Sequence, residues 1–244
     1  MRVYKFILLE LAFLLISACS VEPINHSIST PPPVVQIQVD PVVDWVSPVI
    51  QICNQQIPER GWIIQSPDTL PEEGIEKNIR IFWATPTDTS QNTFQITHDA
   101  IQIVVNPSLS LHSLTFLELK AVFSGKINQW NEIAENLPAA EIQVWTYPQS
   151  SSIMENFFQW SGLSPQSLSP LVYLAPNPLQ LRNAVAENPL SIGILTTRWS
   201  NQQVDTVLIE EDQDNREFPV LAELTESDPY MLEWLFCIQS QINQ

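Results

Sequence analysis

The sequence predicts an α/β protein with a partly parallel sheet, and two observations support this fold class. The first is the order of elements. A strand pattern is followed by a helical pattern and by two more strand patterns, all with short connections. The second is composition, since 44% of the 244 residues are hydrophobic, and eight Trp and ten Phe supply large side chains for a core. A chain of this length builds one large domain or two modest ones.

The first elements are justified by short-range patterns. Residues 34–39 (VVQIQV) alternate between apolar and polar side chains, which predicts a strand. A helix is predicted to follow, with Ser47 as its N-cap and Pro48 pre-set for its first turn. Three further strands are predicted, over residues 61–65, 79–83 and 94–105.

The later part of the chain is predicted to be richer in helix. A helix over residues 114–123 opens with Thr115 three residues before Glu118, the spacing of a capping box, and Gly125 supplies its stop. Further helices are predicted over residues 153–160, 179–187 and 229–242, and further strands over 141–145, 189–195, 204–209 and 218–221.

Charge and glycine content exclude two classes of function. The 27 acidic residues outnumber the 10 basic ones and give a formal net charge of −17. Nucleic acid is therefore not expected as a partner, because its phosphates would be repelled. Only five glycines are present, and neither a dinucleotide-binding fingerprint nor a phosphate-binding P-loop occurs, so no nucleotide cofactor is expected.

The N-terminus has the pattern of a secretory signal. A cationic start precedes an apolar run over residues 6–15, and small residues lead to Cys19. We predict that residues 1–18 are a signal peptide and that Cys19, which follows a sequence resembling a bacterial lipobox, is lipidated. An ordinary cleaved signal ending near a cysteine is the alternative. Residues 19–33, which end in three prolines, are predicted to be an extended tether.

The two remaining cysteines are candidates for a disulfide. Cys53 and Cys237 both lie in segments with helical apolar spacing, in a compartment where disulfides persist. We predict a bond between them, which would close a long loop and restrict the unfolded chain. Two unpaired core thiols are the alternative.

Several motifs follow one another in a distinctive order within residues 96–133. An apolar strand ends in Val-Asn-Pro, a helix starts with Leu-Thr, and the run FSGKINQW occupies residues 123–130. This order resembles the middle of the phosphate-type substrate-binding proteins of ABC transporters. The resemblance continues over residues 141–158, 186–195 and 218–224.

The resemblance implies a two-lobed fold of the periplasmic-binding-protein type II, with mixed sheets and helices on both faces. Residues 34–104 plus 196–244 would form one lobe and residues 105–195 the other, with a ligand cleft between them. The implied function is a monomeric, lipid-anchored solute-binding protein on the extracytoplasmic face of the bacterial cell membrane. It would capture a small ligand, such as an oxyanion, for an ABC permease. The alternative is a surface lipoprotein that uses this fold as a non-transport binding or sensor module.

The anion site of that family is altered in this sequence. In phosphate-binding relatives, an Arg and a Ser-Gly-Thr turn at a helix N-terminus hold the anion. Aligning the family's helix Phe on Phe157 places Tyr147 at the Arg position, and Ser151, Ser152 and Ile153 at the Ser-Gly-Thr turn. The loss of a bidentate guanidinium predicts weak phosphate binding. A weaker anion, a neutral polyol or a peptide-like group still suits the remaining residues.

Candidate ligand contacts come from both predicted lobes. They are Tyr147, Ser150, Ser151 and Ser152 on one side, and Trp45, Thr85, Thr87 and Thr89 on the other. Asp44, beside Trp45, would disfavour anions. The serines also suit a purely structural role, because Ser152 and Glu155 have capping-box spacing. Threonine clusters, in turn, are commonly turn formers.

Neither a catalytic site nor a metal site is expected. His98 and Asp99 are neighbours in a predicted strand, so their side chains point to opposite faces and cannot act as a dyad. The sequence contains no zinc-ligand spacing and no nucleophile elbow. The predicted function is therefore binding and not catalysis.

Overall fold

A computed structural model describes residues 34–58, 60–65, 77–84, 92–210, 216–225 and 229–243, with only the backbone at residues 77 and 78. The predicted signal peptide, the tether and Cys19 lie outside the described residues, and so do Thr85, Thr87 and Thr89.

The first half of the sheet begins with three parallel strands. Strand β1 (Val34–Val39) lies between β2 (Gly61–Gln65) and β3 (Lys77–Trp83). Helix α1 (Ser47–Gln56) follows β1 in the chain, which gives the strand–helix–strand order that the sequence predicts. Strand β10 (Glu217–Leu224) then extends this half by pairing antiparallel with β3.

One long strand is shared by both halves of the sheet. Strand β4 (Thr93–Val105) pairs with β10 from Thr93 to Ala100. From Ile101 onward it pairs instead with β8 (Ser191–Thr196), and over its last three residues also with β9 (Asp205–Glu210). The two halves therefore meet where β4 changes partners.

The second half contains the remaining short strands. Strand β6 (Gln143–Thr146) runs parallel to β8 and also to β7 (Tyr173–Leu174), and β5 (Ser113–Thr115) pairs parallel with β9. The other helices are α2 (Phe116–Phe123), α3 (Ser152–Ser161), α4 (Pro178–Glu187) and α5 (Pro229–Ile242). Parallel and antiparallel pairs occur together, so the predicted α/β class with mixed strands is confirmed.

Strand β9 falls in a segment that the sequence analysis assigns to the first lobe. In the structure it pairs with β4 and with β5, both on the second side of the partner change. Strand β10 and helix α5, in contrast, pack against β3 and α1 of the first half. The lobe boundaries themselves remain predictions.

The predicted start of the first helix is wrong. Residues Pro41–Val46 already form a 3-10 helix, and Ser47 follows directly as the first residue of α1. Asp40 is the N-cap of this turn, and its Oδ1 accepts a hydrogen bond from the Val42 amide at 2.9 Å. An Asp followed by Pro at the first helical position is itself a start signal. The chain therefore has two helix-start signals here, the first at Asp40 and the second at Ser47.

The capping box predicted at Thr115 is confirmed. Thr115 Oγ1 accepts from the Glu118 amide at 3.2 Å, and a Glu118 carboxylate oxygen accepts from the Thr115 amide at 2.8 Å. Leu114, predicted as the first residue of this helix, instead lies in the short strand β5.

The run FSGKINQW, the most distinctive part of the family resemblance, has structural roles. Phe123 and Trp130 are fully buried, and the Trp130 indole donates to the Leu190 carbonyl at 3.1 Å. Gly125 has a φ of 73°, in the left-handed region that favours glycine, and so ends α2 as predicted. These residues fix a helix end and its packing, and none of them lines the candidate site described below.

A disulfide joins the first helix to the last. Cys53 of α1 and Cys237 of α5 are bonded, with their Cα atoms 5.9 Å apart and a separation of 184 positions in the sequence. This is the pairing expected from the sequence. In the chain-entropy model, a loop of this length gives a stabilisation of about 5 kcal/mol. The same helices are also held by a 2.7 Å hydrogen bond from the Trp234 indole to Asn54.

Asp99 is buried at the point where β4 changes partners. Its side chain is 4% exposed and accepts from Thr196 Oγ1 at 2.6 Å, and from the amides of Ala100 and Arg198 at 2.9 and 3.3 Å. His98 is exposed, so the two neighbours do point to opposite faces. Burial raises the pKa of Asp99, and the hydrogen bond from Thr196 opposes that rise only in part.

This raised pKa predicts a pH-dependent stability difference between the wild-type protein and an Asp99→Asn variant. A carboxyl whose pKa is higher in the folded state binds protons more tightly there, so its contribution to stability is complete below the unfolded pKa. That contribution is lost as pH rises through the folded value. We expect the free energy of unfolding of the wild type to fall relative to D99N as pH rises above about 4, the ordinary pKa of an aspartic acid. Urea denaturation of both proteins at each pH measures the difference, and a difference that is constant or grows with pH would contradict the assignment.

Candidate functional site

The described residues enclose a cavity of about 370 Å³ between the two halves of the sheet. One wall comes from the turn after β1 and from β3, and contributes Asp40, Pro41, Val42, Arg80, Phe82 and Trp83. The other comes from the segment between β6 and α3, from Glu155, and from the start of α4. Strands β1 and β6, each of which runs parallel to its own neighbours, both end at this cavity. Small-ligand sites form at such strand ends in α/β folds.

The predicted serine cluster lies in the second wall. Ser150, Ser151 and Ser152 all line the cavity, and Ser150 is exposed. The structure therefore places the three serines at a cavity, and their contact with a ligand stays a prediction. The sequence alone does not determine which partners their hydroxyl groups have.

The capping box predicted for Ser152 and Glu155 is wrong. Helix α3 begins at Ser152, so the N-cap is Ser151, and it makes no side-chain cap. The Ser151 hydroxyl instead donates to the Pro148 carbonyl at 2.7 Å, and the Ser151 carbonyl accepts from the amides of Met154 and Glu155. No described side chain therefore caps the leading amides of α3, and of these the Met154 amide is satisfied by the Ser151 carbonyl.

A carboxylate from the opposite wall binds this helix start. Ser152 Oγ donates to Asp40 Oδ2 at 2.8 Å, across a separation of 112 residues. The other carboxylate oxygen of Asp40 accepts from Val42, as described above. Asp40 therefore links the first wall of the cavity to the second. Asp40 is not recognisable from the sequence as a cavity residue, although the Asp-Pro pair signals an N-cap, because nothing local indicates that its second oxygen reaches α3.

The cavity also contains an arginine that the sequence analysis did not assign. Arg80 alternates in β3 with Ile79 and Ile81, which are fully buried, and its own side chain faces the opposite way, toward the cavity. Its guanidinium lies 4.4 Å from the centre of the Phe82 ring and 3.9 Å from Glu223. The sequence contains one indication of this role, because Arg80 is a single charged residue within the apolar run of residues 79–83.

Tyr147, predicted as a ligand contact, presents only part of its ring. The side chain lines the cavity but is 2% exposed, and its hydroxyl donates to the Ile194 carbonyl at 2.9 Å. Burial raises the pKa of Tyr147 well above its ordinary value, so the group stays protonated. Its hydroxyl is a structural donor.

Two other predicted residues lie away from the cavity. Trp45 is half-buried outside the lining, and the Arg198 guanidinium sits 4.8 Å from its ring centre. Asp44 is exposed and accepts from the Ser47 hydroxyl at 2.6 Å. The carboxylate that affects the cavity is therefore Asp40, four residues earlier. Whether Thr85, Thr87 and Thr89 contact a ligand stays a prediction.

Within the described parts of the chain, no group of three His, Cys, Asp or Glu side chains is arranged to hold a metal ion. Among the same residues, no helix combines the length and apolar character needed to cross a membrane.

Comparison with protein families gives one match. The sequence profile of the PBP superfamily domain matches residues 76–222, which include β3, β4 and the whole second wall of the cavity. No protein of curated function has a sequence that matches this chain.

Comparison with solved structures gives the same fold. One similar structure is a putative phosphate ABC transporter substrate-binding protein from Clostridium perfringens with bound phosphate, at a TM-score of 0.70 and 16% identity over 84% of this chain and 92% of that one. Another is an ABC-type phosphate transport receptor from Vibrio cholerae, at a TM-score of 0.63 and 19% identity over 86% and 95%. These matches confirm the predicted periplasmic-binding-protein-like fold.

A regulatory protein also shares the fold. The reduced form of the regulatory domain of OxyR2 from Vibrio vulnificus matches with a TM-score of 0.55 and 9% identity, over 87% of this chain and 97% of that one. The fold alone therefore does not distinguish transport from regulation.

Substitution of Tyr147 can distinguish a structural role of its buried hydroxyl from a role in ligand binding. We expect Tyr147→Phe to lower the free energy of unfolding by about 1–2 kcal/mol, because the Ile194 carbonyl loses a buried donor. We expect no change in the dissociation constant of any ligand of the cavity, because the ring that faces it is retained. Chemical denaturation and titration calorimetry measure the two quantities. A loss of affinity with unchanged stability would show that the hydroxyl serves the ligand.

Proposed function

The chain belongs to the PBP superfamily, and we propose that it is a solute-binding protein that captures a small ligand between the two walls of the cavity. Membership of this superfamily agrees with the expectation of a binding protein and not an enzyme. The observation that carries the proposal is the cavity itself. It is large enough for a small molecule, and both halves of the sheet contribute polar groups to it.

We further propose that the protein is anchored by lipid at Cys19 on the extracytoplasmic face of the bacterial membrane and delivers its ligand to an ABC permease. The pattern of the first nineteen residues supports the anchor. The disulfide between α1 and α5 supports an oxidising compartment, where such bonds persist. The solved structures of the same fold from C. perfringens and V. cholerae are named as phosphate transport proteins, which supports the link to a permease.

A non-transport binding or sensor module is the second candidate. The match to the OxyR2 regulatory domain supports it, because the same fold serves regulation there. The observation that favours it in this chain is the placement of Tyr147, whose hydroxyl is used internally at the position where phosphate-type relatives have an Arg. A sensor needs ligand-dependent contact with a signalling partner, whereas a transport protein needs a permease.

Ligand binding is tested by titration calorimetry of the purified full-length chain against a panel of oxyanions, polyols and amino acids. We expect at least one ligand to bind with a dissociation constant of about 100 μM or lower. Ser150→Trp should abolish this binding, because the residue lines the cavity and is exposed. Ser164→Trp is the matched control, since Ser164 is exposed outside the lining. A folded protein that binds nothing in the panel would contradict the proposal.

The anchor is tested by expressing Cys19→Ala in a bacterial host with labelled palmitate. We expect the wild type to carry label and to fractionate with membranes, and the variant to lose both properties, because lipid chains supply the membrane affinity. A double Cys53→Ala, Cys237→Ala variant should keep the label. An unlabelled wild type would favour the ordinary cleaved signal.

A further inference from the structure

We propose that Asp40 is a specificity-determining residue, whose carboxylate occupies the position of an anion at the start of α3 and excludes phosphate and other oxyanions from the cavity. This inference rests on the proposed small-ligand site and names the class of ligand that it takes: neutral polar molecules or cations with hydrogen-bond donors.

The start of α3 is a place where an anion could bind, and the Asp40 carboxylate lies beside it. The start of a helix attracts negative charge through amides that lack partners and through the helix dipole. In α3 no described side chain accepts from the leading amides, and Glu155 in the first turn supplies one negative charge. A second carboxylate comes from across the cavity, where Asp40 Oδ2 accepts from Ser152 Oγ at 2.8 Å. An incoming oxyanion would have to displace a carboxylate that is covalently part of the chain.

Three hydrogen bonds fix the position of Asp40. Its two carboxylate oxygens bind donors on opposite walls, Val42 on its own side and Ser152 on the other. The backbone amide of Asp40 donates to the Ile81 carbonyl at 2.9 Å, which fixes the residue to β3. The carboxylate is therefore preorganised, and its position does not depend on a long flexible side chain.

The other charged residues of the described lining also affect which ligands can bind. Among the described lining residues, Asp40 and Glu155 are acidic and Arg80 is basic. The Arg80 guanidinium also lies 3.9 Å from Glu223, outside the lining, so that carboxylate offsets part of its attraction for an anion. The described part of the lining thus carries one more negative than positive charge, and a phosphate near Asp40 would meet like charge at short range, where repulsion is strong.

Neutral and cationic ligands meet the opposite situation. Asp40 and Glu155 offer carboxylate oxygens as acceptors, and the Ser150 and Ser151 hydroxyls add polar groups that hold an uncharged or donor-rich molecule. The Asp40 carboxylate therefore acts against anions in addition to the loss of the Arg that phosphate-type relatives have at the position of Tyr147.

The experiment is calorimetric titration of inorganic phosphate and sulfate, at pH 7, into the full-length wild type, Asp40→Asn and Asp40→Ser. We expect no measurable phosphate binding to the wild type and a gain of at least about tenfold in phosphate affinity in both variants, because a like charge is removed from the helix start. The asparagine retains an acceptor for Val42 and a polar partner for Ser152. The serine variant covers the case in which D40N fails to fold.

Asp44→Asn is the matched control. Asp44 lies four residues later in the chain and outside the lining, and its carboxylate accepts a hydrogen bond from the Ser47 hydroxyl. It removes the same unit of charge, so we expect phosphate affinity to stay at the wild-type level. An equal gain in D44N would show an effect of net charge and overturn the role of Asp40.

The remaining outcomes are also decisive. Phosphate binding by the wild type with a dissociation constant below about 100 μM would overturn the exclusion while leaving the small-ligand site intact. Folded Asp40 variants whose phosphate affinity does not rise would also overturn the proposed exclusion of anions. Conversely, a wild type that binds no ligand of the panel contradicts the proposed function, and a gain of phosphate binding in D40N would still support the exclusion.

Discussion

The continuity of β4 is the constraint on which the rest of the structure depends. A single thirteen-residue strand gives its first part to β10 and its second part to β8 and β9. A slip of one residue would turn the buried side chains of Ile101 and Ile103 to the opposite face, so the register on both sides is fixed together. Asp99 accepts three hydrogen bonds at the exchange point. The walls of the cavity are attached to either side of this point, and β4 therefore determines where they face each other.

The cavity illustrates how one fold carries different chemistry without a change of architecture. The strand ends and the helix start that form it follow from the fold, which this chain shares with a phosphate-bound protein of 16% identity. The side chains at those positions are its own. Tyr147 turns its hydroxyl inward, Asp40 reaches the start of α3, and Arg80 comes from a strand on the far wall. Function resides in such substitutions and not in the topology.

Much of the fold could be predicted from the sequence, and the failures have physical reasons. The segment from Phe123 to Trp130 was informative because a positive-φ glycine and two buried aromatic rings each tolerate few alternatives. Strands β5 and β7, of three and two residues, are too short to show a period. At the site, the sequence located the serines but not their partners. Asp40 has a sufficient local explanation as an N-cap, and its second hydrogen bond joins residues 112 positions apart, which no local pattern contains.

The place of β10 in the sheet has a consequence for how the chain reaches this structure. Strand β10 is inserted between β3 and β4, although it lies more than a hundred residues after them in the sequence. A chain synthesised from its N-terminus therefore presents the facing edges of β3 and β4 unpaired until Glu217–Leu224 has emerged. Open edges of this kind invite pairing with other chains. Such late, non-local closure also slows folding. Pairing with other copies of the chain is therefore most favourable before β10 has formed and covered these two edges.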